Sequence, residues 1–458
     1  MTQVNEPALV RKVTLRLLPL LVALYTVAYI DRSAVGFAQL SMGADVGIGD
    51  AAFGLGAGLF FIAYFLFEVP SNVLMQKFGP RMWFVRILVT WGAITMAMAL
   101  TQGPISFYVL RFLLGVAEAG FYPGVIFYLT TWFPHRHRTK ATGTFVISAP
   151  LAFIIMSPLA GWLLGVSGLG MSGWQWLFLV VGAAAVLMAV PTWKFLPEAP
   201  HRVKWLSKDE SDWISRELEK DKAERRQEDG KNPLRTLVDK RVLVFALLFF
   251  PSTVGVYGLS FWLPQVVNQF STSTLQTGIL TDVPYLFALV GVLVTSRWAA
   301  RHFRDNWVPL ACLFVGSAIG MGASAAVASP VLQLAGLSLA AFCVYSIAGV
   351  FWSLPSGVLA GATAAVAIAA INSFGNLGGF IGPYVVGLFT QATGTTEAGM
   401  YFLMVVLLLG AVGTFVARRA VVRMQRADDA VEPGAVEPGA VEPGADAPGA
   451  EGRGAARV

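Results

Sequence analysis

The chain has 458 residues, of which 56% are hydrophobic and only 13% charged, with a mean hydropathy of +0.64. A soluble domain is nearer a quarter charged, so composition excludes one and requires a polytopic membrane protein. The net charge of +6 does not point to nucleic acid, because Lys and Arg lie between apolar runs and on alternate sides of them.

The N-terminus places Arg11, Lys12 and Arg16 at the start of a long apolar stretch without a small-residue cleavage site, so the first helix reads as a retained span. A helix needs about 20 apolar residues to cross a bilayer. Twelve stretches qualify: 13–38, 53–77, 82–101, 105–128, 140–165, 174–196, 242–268, 277–298, 307–328, 331–353, 362–390 and 398–421. One set of connections holds Lys77 and Arg81, then Arg136, Arg138 and Lys140, then the 197–241 segment, then Arg297, Arg301 and Arg304. Arg11, Lys12 and Arg16 lie on the same side, with Arg418, Arg419, Arg423 and Arg426 at the other terminus. The alternate connections (39–52, 102–104, 166–173, 269–276, 329–330, 391–397) hold no Lys or Arg. By the positive-inside rule both termini are expected to be cytoplasmic, which requires an even number of spans.

The expected organisation is all-α: a six-helix bundle over 1–196, a linker over 197–241, a second six-helix bundle over 242–421 and a tail over 422–458. In the linker, Ser207-Lys208-Asp209-Glu210 reads as a capping box, followed by a Trp213, Ile214, Leu218 stripe. An amphipathic helix is expected there, along the membrane surface or as a solvated connector between halves. The tail repeats Val-Glu-Pro-Gly-Ala three times from Val431, too rich in Pro and Gly to build a core, and is read as disordered. Two six-span halves predict a binding site near the midplane between them, with access alternating by rocking.

Charged residues inside the spans are few: Asp31, Arg32, Glu68, Arg111, Glu118 and Asp282. A charge at membrane depth costs about 2.5–3.5 kcal/mol even on the lenient insertion scale, so it persists where it faces a partner or a watery cavity. Asp31 and Arg32 fall in the outer part of span one, at a depth similar to Arg111 in span four, which allows an Asp31–Arg111 pair. Glu118 lies two turns beyond Arg111, about 10 Å deeper and near the midplane, without an evident neighbouring cation. A carboxylate withdrawn from water is a natural proton carrier, which nominates Glu118 and Asp31. Successive helix residues point about 100° apart, so Arg32 is free of Asp31 and can present its planar fork to a carboxylate. Tyr64 can offer a hydroxyl from mid-depth, while Glu68, one turn on and before Pro70, suits a structural cap or a loop cation.

The second half is nearly charge-free. Asn372 and Ser373 supply polar groups on span eleven, and Tyr257 and Trp352 are candidates for the opposite wall. Asp282, followed by Pro284, reads either as an outer-interface acid or as a residue tuning which substrate is accepted. His135, His137, His201 and His302 fall in cytoplasmic connections, and Cys312 and Cys343 in apolar runs. No Cys/His metal spacing, nucleophile–base set or nucleotide-binding loop is evident, so no enzyme, metal or cofactor is expected.

Four segments together resemble the major facilitator superfamily, and within it the anion:cation symporter family. They are Tyr29-Ile30-Asp31-Arg32-Ser33-Ala34-Val35-Gly36-Phe37-Ala38, the run from Phe60 to Asn72 around Tyr64 and Glu68, Arg111-Phe112-Leu113-Leu114-Gly115-Val116-Ala117-Glu118-Ala119-Gly120-Phe121-Tyr122-Pro123, and the run from Ile371 to Pro383 containing Asn372, Ser373 and Asn376. The likeness covers roughly 13–421. It implies the major facilitator fold, a monomer in the cell inner membrane, and uptake of a small organic anion coupled to a cation, usually a proton. Sugar acids, tartrate, phthalate and aromatic acids are the substrate classes it implies. The resemblance assigns Arg32 to the substrate anion, Asp31 and Glu118 to protons and Arg111 to coupling, and it agrees with Tyr64 as a substrate ligand. Two departures put the family's acidic loop latch in doubt: Asn72 and Gln76 replace its usual Gly and Asp, and Ser296-Arg297-Trp298-Ala299 lacks the acid after span eight. The alternative is a proton-coupled exporter of drugs or metabolites, which has less use for Arg32.

Overall fold

The computed structural model describes residues 4–146, 148–227, 239–302, 305–358 and 363–431. Its apolar stretches form helices because a bilayer leaves backbone amides no partner except one another. Among the described residues ten helical stretches are long and apolar enough to cross a membrane, with Leu151–Leu164 as a shorter apolar helix.

In chain order the first half holds α1 (Glu6–Val46), α2 (Asp50–Phe78), α3 (Pro80–Ala97), α4 (Pro104–Glu118), α5 (Phe121–Thr130), α6 (His135–Val146), α7 (Ser148–Leu164) and α8 (Gly173–Phe195). The linker helix is α9 (Lys208–Gln227). The second half holds α10 (Lys240–Asn268), α11 (Thr274–His302), α12 (Trp307–Ala326), α13 (Pro330–Phe351), α14 (Ser353–Val358), α15 (Thr363–Asn376), α16 (Gly378–Thr393) and α17 (Glu397–Val431). Every expected span is matched by a helix or by two consecutive helices. The fold is all-α, with twelve spans in two six-span halves.

Two spans are interrupted well inside their expected bounds. Span four is broken between α4 and α5, where Gly120 adopts φ +83, a conformation that favours glycine. A side chain there would also collide with Ser71. Span eleven is divided between α15 and α16 at Leu377. The expected tail boundary moves as well: α17 continues through residues 422–431, helical up to the residue two before Pro433, and the rest of the tail lies outside the described residues. The cause is local. Residues 422–431 contain neither Gly nor Pro, the two poorest helix formers.

Within the first half α3 packs on α8, α2 on α4, and α1 on α7 and α8; within the second, α13 packs on α11 and α12, and α10 on α15, α16 and α17. The halves meet through α2 with α16, α7 with α11, and α1 with α10. Exchanging the halves turns the first pair into the second, as two equivalent six-span units require. These contacts gather on the side of the uncharged connections: the Ala51 backbone N–H donates to Gln391 Oε1 at 3.0 Å, and a side chain added at Gly161 would lie 2.7 Å from the Thr274 carbonyl.

The linker helix opens with the expected capping box, Glu210 N–H donating to Ser207 Oγ at 3.2 Å and Ser207 N–H to Glu210 Oε2 at 2.8 Å. Its Ile214 is buried. Ion pairs then tie α9 to the first half: Glu210 with Lys12 at 2.8 Å, Glu217 with Arg136 at 2.9 Å, and Asp221 with Arg138 at 2.9 Å. It is a connector docked on one bundle.

Candidate functional site

The polar centre of the molecule lies in the first half and is assembled by α1, α2, α3 and α4. Asp31, Arg111 and Glu118 are 1%, 0% and 0% exposed, and Arg32 8%. Four charges at that burial need partners, and the partners define the site.

Arg32 and Glu118 form the ion pair. Arg32 Nη2 lies 2.5 Å from Glu118 Oε1, and Arg32 Nε donates to the same oxygen at 2.8 Å. The break after α4 explains the geometry: Glu118 is the last residue of α4, so its carboxylate sits where the helix stops, opposite the middle of α1. Aromatic rings enclose the guanidinium, with Tyr29, Phe60 and Tyr64 centroids 5.5, 5.4 and 5.2 Å from Arg32 Cζ. Such rings favour a cation and exclude water. Glu118 therefore has the adjacent cation that its sequence environment did not reveal.

The Asp31–Arg111 pair that depth allows is not formed. Asp31 Oδ1 accepts from Thr95 Oγ1 at 2.6 Å, whereas Arg111 donates to the backbone carbonyls of Gly56 and Ala57 at 3.3 and 3.2 Å. Axial depth brought the two residues level, but the direction of each side chain around its helix set the partner. Phe60 lies between the two cations, its ring 4.9 Å from Arg111 Cζ. Three polar atoms at this centre are buried without a hydrogen-bond partner: Asp31 Oδ2, Glu118 Oε2 and Arg111 Nη1. They leave the two acids able to take up a proton without breaking an existing bond at the free oxygen.

The second half contributes a mostly aromatic and neutral wall. The Tyr257 ring lies 4.4 Å from Phe61 of α2, and Tyr257 is among the electrostatic neighbours of Arg32. Ser373 Oγ donates to Glu68 Oε2 at 3.3 Å and joins the two halves, so Glu68 has a neutral partner, neither of the two roles, a structural cap or a partner for a loop cation, that its position suggested. The backbone carbonyl of Glu68 accepts from Asn72 Nδ2 at 2.8 Å, which holds the turn before Pro70. Asn372 is half-buried, one position before Ser373. Trp352 packs on Phe249 and Phe351, with centroids 5.1 and 5.2 Å away. Asp282 is half-buried on α11, beside Ser157 of α7.

Several contributors were not singled out from the sequence. Thr95, the partner of Asp31, is a polar residue mid-way along span three and could have been flagged on that ground. Tyr29 and Phe60 lie inside the motifs already noted, but nothing in the pattern says that their rings enclose a guanidinium. Tyr285, Tyr345 and Ser260 form a second polar group on α10, α11 and α13, with Ser260 Oγ 2.7 Å from Tyr345 Oη.

Comparison with known proteins agrees with this architecture. The Major Facilitator Superfamily pattern matches residues 21–383. A quinolone resistance transporter of Acinetobacter baumannii is 54% identical over 422 residues, covering 92% of this chain and 97% of that protein. A putative tartrate transporter of Agrobacterium vitis is 41% identical over 416 residues, covering 90% and 95%. Among solved structures, an inward-facing, occupied bacterial homologue of the human lysosomal transporter Spinster superposes with a TM-score of 0.69 at 16% identity, over 88% of this chain and 96% of that one. The relative named for tartrate agrees with the resemblance to anion:cation symporters, and the matches are to transporters rather than enzymes. With its twelve spans in two halves and a buried charged centre in the first, the chain belongs to the Major Facilitator Superfamily and is a multi-pass membrane transporter.

Proposed function

We propose that this chain is a proton-coupled symporter that carries a small organic anion into the cell by alternating access. The observation that carries the reading is the buried Arg32–Glu118 pair. Arg32 has one fork and two claimants for it. While Glu118 is ionised it holds the guanidinium; once Glu118 takes a proton, the fork is released to a substrate carboxylate. The empty site then holds one cation and one carboxylate. The loaded site holds the same cation, the substrate carboxylate and a neutral Glu118. Both states are balanced, whereas either ligand alone leaves a net charge in a low-dielectric span, which is costly. By thermodynamic linkage, proton and anion each favour the binding of the other by the same factor.

In this reading Asp31, held by Thr95, is a second proton site. Arg111 supplies positive potential beside both acids and secures α2. Tyr64, Tyr257, Asn372, Ser373 and Trp352 shape the substrate wall. The basic connections support both termini on the cytoplasmic side of the inner membrane. The contacts gathered at the uncharged connections fit a conformation closed outside and facing the cytoplasm. Each chain carries a complete site, so a monomer suffices.

A second reading, proton-coupled export, is favoured by the relative named for quinolone resistance. Proteoliposomes separate the two. Under symport, an inward proton gradient drives accumulation of a labelled carboxylate such as tartrate or benzoate, with alkalinisation outside. Under export, a quinolone leaves the vesicle lumen against inward protons and no carboxylate accumulates. Accumulation of neither anion under a proton gradient, with quinolone antiport present, replaces the first reading by the second.

A further inference from the structure

Asp282 is an acid with no part in the scheme above. It lies on α11, one turn before Tyr285, where α11 of the second half crosses α7 of the first. Its Oδ1 is buried without a hydrogen-bond partner, and Ser157 is the polar neighbour of the carboxylate. No cationic side chain among the described residues pairs with it. The buried Tyr285 hydroxyl likewise makes no hydrogen bond, although the Ser260–Tyr345 pair stands beside it.

An unbroken series of rings leads from this acid to Arg32. Tyr285 stacks flat on Phe153, with centroids 4.3 Å apart and planes 6° from parallel. Phe153 meets Tyr29 edge-on at 5.8 Å, and Tyr29 lies 5.5 Å from Arg32 Cζ. A guanidinium and an unpaired carboxylate thus stand at opposite ends of one aromatic strip that crosses from the first half to the second. A plain carboxylate would balance only the first of these charges. A ligand that also carries a cation at its far end balances both, and flat rings between them suit an aromatic body.

We propose that the site accepts a dipolar substrate, an aromatic carboxylic acid bearing an ammonium group, with the carboxylate at Arg32 and the ammonium at Asp282. The inference rests on the organic-anion reading and specifies the substrate class within it.

Binding to the purified full-length protein is measured for benzoate, 4-(aminomethyl)benzoate and 4-(piperazin-1-yl)benzoate. At least one amine-bearing acid is expected to bind roughly tenfold or more tightly than benzoate, and in Asp282→Asn that preference falls toward one. An unchanged preference in Asp282→Asn, or the absence of any preference in wild type, overturns the proposal. A charge-only pair tests the native protein without mutation: 4-(trimethylammoniomethyl)benzoate should bind better than 4-neopentylbenzoate, and equal binding overturns the proposal whatever the variant does. Arg32→Ala separates the two levels. If benzoate binds that variant as it binds wild type, the organic-anion reading fails and takes this inference with it; if none of these aromatic acids binds wild type, the dipolar aromatic substrate is lost, and tartrate uptake under a proton gradient still tests the organic-anion reading. If benzoate needs Arg32 but the preference ignores Asp282, only the dipolar substrate is lost.

Discussion

Arg32 and Glu118 are 86 residues apart in sequence and in contact in space, joined where α4 ends against the middle of α1. The Glu118 side chain is fully buried and that of Arg32 only 10% exposed, so each depends on the other, and the pair is both a structural element and the proposed point of exchange between substrate and proton.

Removing one partner exposes that dependence. Arg32→Ala leaves Glu118 uncompensated and should cost about 3–5 kcal/mol of stability, while Arg32→Ala combined with Glu118→Gln recovers part of the loss. Thermal unfolding in detergent of both singles and the double variant gives the coupling. Strict additivity would show that the two side chains do not interact in solution.

Glu118→Gln should abolish accumulation driven by a proton gradient, because the neutral amide can no longer gain or lose the proton. It should retain counterflow exchange of labelled for unlabelled anion, which needs no net proton movement. Gradient-driven uptake that survives in this variant removes Glu118 from coupling and leaves Asp31 as the acid to examine.

Arg111 holds α2 by two backbone carbonyls rather than by Asp31. Arg111→Ala should lower stability by about 1.5–3 kcal/mol, the range for hydrogen bonds to a charged group. Arg111→Lys should restore only part, because an ammonium lacks the fork that reaches both carbonyls. A melting temperature unchanged in both variants would rule out this bracing role.

The docking of α9 should depend on acid pH. Hydrogen bonds from Lys220 and Arg136 hold the Glu217 carboxyl below the ordinary glutamate value. Burial at Glu210 acts the other way but is outweighed by hydrogen bonds from Lys12 and Ser207, so it too is lowered. A lowered carboxylate contributes stability that is fully present above its unfolded value, about 4.3, and is lost as the pH falls through the folded one. Hydrogen exchange across residues 208–227 should therefore be slow at pH 7 and faster below about pH 4, once exchange chemistry is corrected. The surface exposure of Arg136 also makes the effect weaker at high salt.

Most of the fold was legible in the sequence because a bilayer imposes a length, and length together with the alternation of basic connections separates twelve spans. The capping box at Ser207 and Glu210 was legible for a similar reason: its two hydrogen bonds are local. The pairing of Arg32 with Glu118 was not. Position along a helix gives depth, but the direction of a side chain around the axis depends on how helices rotate against each other and where they break. Gly120 breaks span four and sets where Glu118 ends up, and a glycine in a small-residue stretch does not announce a left-handed turn. The surroundings of Trp352 were hidden for the same reason: it packs on Phe249 and Phe351, which its position along the helix does not announce.

All four charges of the centre belong to the first half, and the second half adds a wall whose nearest acid is Asp282. In the proposed symport the molecule thus divides its labour unequally, one bundle holding the proposed coupling acids and the other most of the means of choosing cargo. On that reading, residues of the second bundle can change while the proposed proton sites stay intact, which would let one drive serve different cargoes. A hybrid joining the first bundle of this chain to the second bundle of the tartrate-named relative would inherit its drive from one parent and its diet from the other.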